Sequence, residues 1–453
     1  MKSMNPVKSM KSPKVIADPI YGIIDIRPVL PMVETPEFQA LGDKRQLGMS
    51  YLVFPSATHT RKAHSLGAYH ATRELTKHWL ELGFVNQREA GALAGYALYH
   101  DIGHPAFSHV TEPLCEMPKG VSAREAKTMS VNSALSLAII RRRKREIEAC
   151  GIDFKLLESF AAHRNPLHLA VSDKNLGMEK LDYLERDGAF TILSRPTGLD
   201  YLRKHIYFAG NQLAIDEKAI DNALETQNFY LKMYKNVYLR KTSAIAQRMF
   251  QKMTHHLMLE GIISAGDLPN LTDSELFGMM RLSRDKTVWK LYDLFKRRDL
   301  FREAIVLRSK SFADNENKTE KHITTFGISP REIKRLIAAP QLQIKNQAGL
   351  ATLEDGIAKL AGLPRDSVLV VPITDPGRFT AQDIMVYRGP LSGGPGGQKP
   401  ASLKARYPSH FKNIGEVIKT YVAFRVCTTN KNRRALNSPK IARKVFDLIF
   451  SIV

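Results

Sequence analysis

The stretch LYHDIGHPAFSHVTE, residues 98–112, places a histidine and an aspartate side by side and follows them with Gly-His-Pro. Imidazole and carboxylate together are typical ligands of transition metals. Because neighbouring helical residues diverge by about 100°, His100 and Asp101 reach one ion only near a helix end. Gly103 and Pro105 end a helix at this point. The stretch therefore predicts a metal site at the C-terminal end of a helix.

Histidines are frequent on the N-terminal side of this stretch as well. Between Tyr51 and Glu112 the side chains that can bind a metal are His59, His64, His70, His78, His100, Asp101, His104 and His109. We interpret His70 and His78 as core residues satisfied by hydrogen bonds, because a single histidine on an apolar face usually has that role. His104 and His109 are predicted to line a pocket on an irregular segment.

The composition is that of an ordinary globular protein, with 43% hydrophobic and 25% charged residues. No apolar run is long enough to cross a bilayer, so no membrane span is predicted. The net charge of +22 has two interpretations that stay open. It attracts a polyanion such as a nucleotide or nucleic acid, or it belongs to a lysine-rich surface without that role.

The termini and cysteines indicate a reducing cytoplasm. Residues 1–17 are predicted to be a flexible basic tail, because they lack the apolar core of a secretory signal. Cys115, Cys150 and Cys427 are widely spaced and form no CxxC pair. They therefore predict neither a zinc site nor a disulfide framework.

Apolar periodicity predicts a mainly α fold. Helices are expected near residues 36–47, from Arg61 onward, and at 86–102, 122–150, 154–162, 180–193 and 220–261. A hairpin or short strands are expected within residues 15–53. After about Phe312, SVLVVPI (367–373) and AQDIMVYRG (381–389) predict strands, and GPLSGGPGGQKP (389–400) predicts a loop. We divide the chain into a helical core at 18–311 and a smaller α+β region at 312–453.

Two local signals refine the helices around the histidines. Asn86, with Glu89 three residues later, resembles a capping box at a helix N-terminus. Small residues recur in both helices of this region, which predicts that the two helix axes approach closely. These residues are Gly67, Ala68, Ala71, Ala92, Gly95 and Ala97.

Four segments resemble the HD-domain hydrolases related to the sterile-alpha-motif/HD-domain dNTP triphosphohydrolase, over roughly Asp18 to Met253. They are FPSATHTRKAHSLG (54–67), LYHDIGHPAFSHVTE (98–112), MEKLDYLERDG (178–188) and VYLRKTSAIAQRM (237–249). The resemblance implies a helical HD-domain core and a bound divalent metal ion. It also implies a nucleotide or dNTP substrate and a homo-oligomer, either a dimer or a tetramer.

The same resemblance implies the metal ligands. His64 matches the first histidine ligand, and His100 and Asp101 match the HD pair. The family's last ligand is an aspartate, and Glu179 stands at that position with a longer side chain. Asp182 is expected to make a structural hydrogen bond instead. Mixed imidazole and carboxylate ligation suits Mn, Fe, Mg, Zn, Ni or Co and does not distinguish among them.

The resemblance also implies catalytic and substrate-binding residues. His104 matches the histidine beside the phosphates and Arg61 matches a phosphate-contacting arginine, while His109 is predicted to take part in catalysis beside them. The predicted substrate-binding residues are Gln46, Lys180, Tyr183, Asp187, Tyr238, Arg240 and Lys241. A metal ion lowers the pKa of bound water, cations neutralise phosphate charge, and a nearby histidine can protonate a leaving oxygen.

Several family positions differ in this chain. A family histidine falls near Met129 and Ser130, where this chain has none, and Glu112 replaces an aspartate. Arg240 replaces a histidine and Tyr230 replaces an arginine. Three functions therefore stay open. They are a nucleotide phosphohydrolase, a nuclease or nucleic-acid-binding protein that uses the basic run at residues 141–145, and a degenerate paralogue with a structural or regulatory role.

Overall fold

Thirteen helices of at least eight residues dominate the computed structural model, which describes residues 13–312, 322–387 and 400–453. The fold is mainly α, as predicted. Numbered in chain order within the described residues, these helices are α1 (Arg61–Glu81), α2 (Gln87–Tyr99), α3 (Val131–Arg142), α4 (Phe154–Ala161), α5 (Met178–Thr191), α6 (Ile220–Met233), α7 (Lys241–Leu259), α8 (Asp273–Leu282), α9 (Lys286–Lys296), α10 (Pro330–Ala338), α11 (Gln347–Leu360), α12 (Pro408–Tyr421) and α13 (Pro439–Ser451).

Shorter helical segments connect these helices. They are Leu30–Val33, Pro36–Ala40, Ala123–Thr128, Lys144–Ala149, Leu169–Ser172, Leu199–Lys204, Leu403–Arg406, Arg433–Leu436 and the π turn Tyr234–Tyr238. The predicted helix at 36–47 is thus shorter than expected. The predicted helix at 122–150 is three separate helices, because Ser130 begins α3 with a side-chain cap and Arg143 leaves helical geometry at its end.

Ten strands form three small sheets within the described residues. The strands are β1 (Val15–Asp18), β2 (Gly22–Asp25), β3 (Ile206–Ala209), β4 (Gln212–Asp216), β5 (Arg302–Ser309), β6 (Thr324–Ile328), β7 (Val368–Val371), β8 (Met385–Tyr387), β9 (Ala401–Ser402) and β10 (Ala423–Thr428). The sheet orders are β1-β2, β6-β5-β10-β7 and β3-β4-β8-β9. The predicted hairpin is β1-β2.

The predicted flexible tail at residues 1–17 is wrong at its C-terminal end. Val15, Ile16 and Ala17 pair with Asp25, Ile24 and Ile23 in the antiparallel hairpin, because this short segment alternates apolar residues that pack against the core. Residues 1–12 of the tail and residues 389–399 of the predicted Gly/Pro loop lie outside the described part of the chain.

The capping box predicted before α2 is present. The Asn86 side chain accepts from the Glu89 backbone N–H at 3.0 Å, and the Glu89 carboxylate accepts from the Asn86 N–H at 2.9 Å. Helix α2 then ends at Tyr99, so His100 and Asp101 stand at its C-terminal end. The pair His100-Asp101 is therefore positioned at a helix end, as the sequence predicts.

Two of the small residues of α1 and α2 lie close to other helices of the core. A Cβ atom on Gly67 would lie 2.0 Å from Asp182 Oδ1 of α5, and one on Gly95 would lie 2.8 Å from Leu157 Cδ1 of α4. Helix α1 therefore needs glycine at residue 67 to approach the carboxylate of α5. These two glycines serve packing against α5 and α4, which the sequence pattern alone does not reveal.

The C-terminal region is interleaved with the helical core. Strand β8 pairs in parallel with β4, so one sheet contains strands from both regions. The β5 sheet packs against α7 through buried residues such as Leu369, Val371 and Cys427. Residues on the two sides of the border predicted near residue 312 therefore contact each other in both a sheet and the core.

Within the described residues, no helix is long and apolar enough to cross a membrane. The three cysteines are free thiols, in agreement with the expectation that they form no disulfide framework.

A buried ion network joins α7 to α11. The Glu354 carboxylate accepts from Arg248 Nη2 at 3.1 Å and from Lys252 Nζ at 2.9 Å. All three side chains are almost completely buried. Replacing Glu354 leaves two buried cations without their shared partner, which is costly in a low-dielectric interior.

We expect Glu354→Ala to lower the free energy of unfolding by about 3–5 kcal/mol. The matched control is Asp355→Ala, because Asp355 is the next residue on α11 and also pairs with an arginine, Arg365, at 3.0 Å, but on the surface. The control is expected to cost about 1 kcal/mol or less. Urea denaturation followed by circular dichroism measures both, and equal losses would contradict the predicted role of the buried network.

Candidate metal centre

Three side chains from α1 and the end of α2 converge on one point. His64 Nε2 and His100 Nε2 lie 3.2 Å apart, and Asp101 Oδ2 lies 3.6 Å from the first and 3.5 Å from the second. All three residues are buried. The structure therefore brings together three of the four predicted metal ligands.

The hydrogen bonds of the two imidazoles fix which nitrogen faces this point. His100 Nδ1 lies 2.7 Å from the Ala97 carbonyl, which can only accept, so Nδ1 donates. His64 Nδ1 lies 2.7 Å from Asp182 Oδ2 and donates to that carboxylate. Each Nε2 then carries a lone pair directed at the other. Two lone pairs that face each other and a carboxylate fit a cation between them, and this donor set suits a divalent transition metal.

Asp182 is itself anchored by a buried arginine. Arg186 Nη2 donates to Asp182 Oδ1 at 2.9 Å, and Arg186 Nη1 donates to Asp18 Oδ2 at 2.8 Å. Burial alone would raise the pKa of Asp182, but Arg186 and the hydrogen bond from His64 lower it well below its ordinary value. Asp182 is therefore an ionised acceptor that orients His64, which is the structural hydrogen bond expected for it.

Arg61, predicted to contact phosphate, is bound to the metal-centre aspartate. Its Nη1 donates to Asp101 Oδ2 at 2.5 Å, and its Nε donates to Ser108 Oγ at 2.9 Å. Its Nη2 is buried without a hydrogen-bond partner among the described residues. Burial opposes ionisation of Asp101, but His104, His100 and Arg61 lower its pKa well below the ordinary value.

Glu179 approaches the same histidine from α5 but stands farther away. Its Oε2 lies 3.9 Å from His100 Nε2, and its side chain is 34% exposed. Burial is the main cause that raises the pKa of Glu179, and Asp101 also raises it. The predicted fourth ligand thus faces the centre without joining the compact group of three, and its role as a ligand stays a prediction.

The predicted catalytic histidines lie beside this centre. His104 Nδ1 is 3.2 Å from Asp101 Oδ1, and the His104 and His109 ring centres are 5.0 Å apart. His109 Nδ1 lies 2.7 Å from Glu112 Oε2. His104, His109 and Glu112 therefore form a second group of potential ligands next to the first.

Asp187 joins one predicted substrate residue, Tyr238, to His59, which the sequence analysis did not assign to the substrate. Its Oδ2 accepts from Tyr238 OH at 2.8 Å, and its Oδ1 lies 2.8 Å from His59 Nε2. Tyr183 packs in the same aromatic cluster as Tyr238. His59 was noted only as a possible metal ligand, and its place five residues before His64 is the one signal that links it to the site.

Lys180 and Tyr230 are in direct contact. The ammonium of Lys180 lies 3.8 Å from the centre of the Tyr230 ring and donates to the Lys174 carbonyl at 2.6 Å. Burial lowers the pKa of Lys180 to about 8. The tyrosine that replaces the family's arginine therefore covers the predicted phosphate-binding lysine with an aromatic face.

The remaining predicted substrate residues lie in different surroundings. Gln46 is buried, and its Oε1 has no hydrogen-bond partner among the described residues. Arg240 lies over the Phe54 ring at 5.9 Å.

Lys241 lines a cavity of about 670 Å³ with Arg298, Arg302, His322 and Arg433, and its Nζ lies 3.3 Å from Glu303 Oε2. The π turn Tyr234–Tyr238 interrupts the single helix predicted over 220–261, and α7 begins at Lys241. The role of Lys241 as a substrate residue stays a prediction.

The position of the missing family histidine is occupied by a helix start. Ser130 caps α3 by accepting from the Ser133 N–H at 3.1 Å, and Met129 is buried in the core. The side chain of α3 that reaches the centre is Asn132, whose Nδ2 lies 3.4 Å from Asp101 Oδ1. Sequence reasoning missed Asn132 because the expected residue there was a histidine two or three positions earlier.

The basic run at residues 141–145 is largely engaged within the molecule. Arg141 pairs with Glu125 and Glu158, both at 2.8 Å. Arg143 contacts Glu37 at 2.7 Å and Glu146 at 2.9 Å. Lys144 lies 3.7 Å from Glu148, so three of the five cations have acidic partners.

Comparison with known proteins gives one family match and several relatives. The family described as the HD associated region matches residues 199–339. An HD domain-containing protein of Acanthamoeba polyphaga mimivirus is 28% identical over 60% of this chain and 65% of its own length. The deoxynucleoside triphosphate triphosphohydrolase SAMHD1 of Gallus gallus is 29% identical over 55% of this chain and 47% of its own length. The chain thus spans about half to two thirds of these relatives.

Solved structures share the fold over nearly the whole chain. A phosphohydrolase from Bacteroides thetaiotaomicron superimposes with a TM-score of 0.66 at 24% identity, covering 92% of this chain and 100% of that protein. A hypothetical protein from Aquifex aeolicus gives a TM-score of 0.64 at 19% identity over 94% of this chain and 100% of its own. The chain is thus similar to HD domain-containing proteins over part of its length and shares the fold of these solved structures.

Proposed function

We propose that this chain is a metal-dependent phosphohydrolase that acts on a nucleotide, with a dNTP triphosphohydrolase-like reaction as its activity. One observation carries the proposal. The Nε2 atoms of His64 and His100 lie 3.2 Å apart with a carboxylate oxygen of Asp101 beside both. The likeness to the SAMHD1 triphosphohydrolases supports the choice of substrate class.

His64, His100 and Asp101 would hold the ion, and Glu179 is the proposed additional ligand. A divalent ion bound there would lower the pKa of a bound water and polarise a phosphoryl oxygen. The chain's own residues set the conditions for this chemistry. Asp182 and the Ala97 carbonyl hold both imidazoles in the ligating orientation, and burial of the three ligands excludes bulk water.

Arg61 and Lys180 supply positive charge for the phosphates. The unpartnered Nη2 of Arg61 offers one donor to a phosphate oxygen while Nη1 stays on Asp101. Asp187, held by His59 and Tyr238, is a proposed contact of the sugar, as are Tyr183 and Gln46. Arg240 and Lys241 remain proposed contacts.

The nucleic-acid alternative receives less support than the nucleotide proposal. Two arginines of the basic run are ion-paired within the molecule, although the net charge of +22 still favours a polyanion. A degenerate paralogue without activity is the remaining alternative, and the experiments below separate it from an enzyme. The cytoplasmic location and the homo-oligomer stay predictions.

The first expected outcome concerns metal affinity. Asp182→Asn should weaken binding of Mn²⁺ by roughly 10–100-fold, because the carboxylate that orients a ligating histidine is lost. His64→Ala should weaken it more. The control is Glu185→Gln, which changes another carboxylate of α5 that is paired with Arg203 away from the centre. Chelator competition measures the Mn²⁺ affinities. Wild-type affinity in both Asp182→Asn and His64→Ala would refute the proposed metal centre.

The second expected outcome concerns activity. Purified protein with Mn²⁺ or Mg²⁺ and each dNTP should release inorganic tripolyphosphate and a nucleoside, and Asp101→Asn should reduce the rate by at least ~100-fold because metal binding is lost. Chromatography of both products is the measurement. If a metal-loaded wild-type protein releases no product from any nucleotide, the hydrolase proposal is wrong and the degenerate alternative stands.

The third expected outcome is a pH dependence of substrate binding. Burial disfavours the charged form of Lys180, whose pKa is about 8, so the side chain is cationic below that pH and neutral above it. KM for a dNTP should therefore rise roughly tenfold from about pH 7 to about pH 9.5 as one phosphate contact is lost. Lys180→Arg should remove this rise because a guanidinium stays protonated. Steady-state kinetics test this, and an identical rise in both proteins would exclude Lys180.

A further inference from the structure

We propose that a groove along α12 is a docking site for an acidic amphipathic helix of a partner protein. The groove has a volume of about 590 Å³ and lies between α12 and two neighbouring segments, which contain Ala381 and Lys404. The described residues that line it belong neither to the candidate metal centre nor to the predicted substrate site.

One face of α12 forms the long side of the groove. The α12 residues that line it recur every three or four positions, which is the spacing of one helix face. They are Pro408, Phe411, Lys412, Gly415, Glu416 and Lys419. At a rise of 1.5 Å per residue this face is about 16 Å long. Another face of α12 packs against Tyr234 of the π turn through Ile414 and Ile418, so the helix is held in place from behind.

The opposite wall is fixed by hydrogen bonds within the chain. Asp383 Oδ2 accepts from Ser402 Oγ at 2.5 Å, and Asp383 Oδ1 accepts from the Lys404 N–H at 2.8 Å. Ser402 Oγ also accepts from the Ala405 N–H at 2.9 Å. The groove is therefore formed before a partner arrives, which lowers the entropy cost of binding.

The floor of the groove is apolar and made largely of small side chains. Ala381 and Ala405 line it beside Phe411, which is 7% exposed. Gly415 lies in the middle of α12, and a Cβ atom there would meet no other atom within 4 Å. Glycine inside a helix is destabilising relative to alanine, but small residues let the axis of a second helix come close. The floor therefore fits a helix that lies along α12.

The rim of the groove is positively charged. Lys404, Lys412 and Lys419 are exposed, and their side chains form no ion pair within the described part of the chain. Glu416 is the one acid among the described residues that line the groove. Asp383, next to the groove, already accepts hydrogen bonds from Ser402 and from backbone N–H groups. The rim is therefore complementary to a partner that carries acidic side chains.

Charge disfavours the chain itself as the occupant. Residues 388–399, which join β8 to β9 in the sequence, contain Arg388 and Lys399 and no acid. A second copy of the chain carries the same net charge of +22, so the two copies repel each other. The complementary charge must therefore come from another protein.

The shape of the groove favours a helix over a membrane or a nucleic acid. In helix-in-groove recognition, an amphipathic helix places its apolar side chains on the floor and its polar side chains at the rim. A bilayer surface is flat and does not enter a groove. A single strand of nucleic acid stacks its bases on exposed aromatic rings, whereas the one aromatic ring among the described lining residues, that of Phe411, is almost completely buried.

The test is a binding measurement with a defined acidic peptide and the full-length protein. The probe is a synthetic fluorescein-labelled peptide of about 15 residues, with leucine on one helical face and glutamate on both sides of it. Fluorescence anisotropy measures its binding. We expect saturable binding that weakens as NaCl is raised from about 50 mM to about 500 mM, because salt screens the attraction between lysine and glutamate.

Two sets of variants locate the peptide. Lys412→Glu combined with Lys419→Glu should weaken binding by at least ~10-fold, because attraction becomes repulsion. The matched control is Lys440→Glu combined with Lys444→Glu, which makes the same change of net charge at two exposed lysines of α13. It should bind within about threefold of wild type. Gly415→Phe should also abolish binding, since its ring fills open space in the groove without displacing other atoms.

Each result decides the proposal. Absence of saturable binding to wild type, equal losses in the two double variants, or wild-type binding in a Gly415→Phe protein that circular dichroism shows to be folded would overturn it. Vesicles of phosphatidylserine and phosphatidylcholine and a single-stranded DNA oligonucleotide are measured in parallel. If either binds through Lys412 and Lys419 while the peptide does not, the groove has another class of partner and the proposal is wrong. The measurements need neither metal nor nucleotide, so the proposed function is tested separately.

Discussion

The buried pair between Asp182 and Arg186 is the constraint on which the rest of the metal centre depends. Arg186 has no exposed side-chain surface and bridges Asp18 and Asp182, so it ties β1 to α5. The same carboxylate orients His64 on α1. Breaking such a buried pair costs about 3–5 kcal/mol. Helix α1 can approach only because residue 67 is glycine. The contact of Asp182 with α1 therefore combines helix packing, a buried ion pair and the orientation of His64.

The charge balance around the centre follows from this arrangement. His104 is neutral at neutral pH, and the hydrogen bonds of His64 and His100 direct lone pairs inward. Asp101 and Asp182 are anionic, and Arg61 and Arg186 offset them. The interior thus contains ionised carboxylates with directed nitrogen donors, which is an environment that favours a divalent cation.

Much of the fold and of the candidate site could be predicted from the sequence, and the exceptions have physical reasons. The spacing of residues along the chain predicts the HD pair at a helix end, the capping box at Asn86 and the mainly α fold. These features depend only on residues that are close in the sequence. The contacts of Arg141 and Arg143 with distant glutamates cannot be predicted in this way, because the glutamates belong to other segments of the chain. Likewise the contacts of His59 with Asp187 and of Asn132 with Asp101 join segments that are far apart in the sequence. The helix predicted over 220–261 is interrupted by a π turn that apolar periodicity does not reveal.

The parallel pairing of β4 with β8 has a consequence for how the chain folds. Strand β4 belongs to the segment between α5 and α6, whereas its partner β8 begins only at Met385. Until β8 emerges from the ribosome, one edge of β4 is an open row of backbone donors and acceptors, which is prone to pair with another chain. Contacts between such distant segments also slow folding. The segment that precedes β8, although it contains the candidate metal centre, therefore leaves one sheet incomplete until β8 has been made.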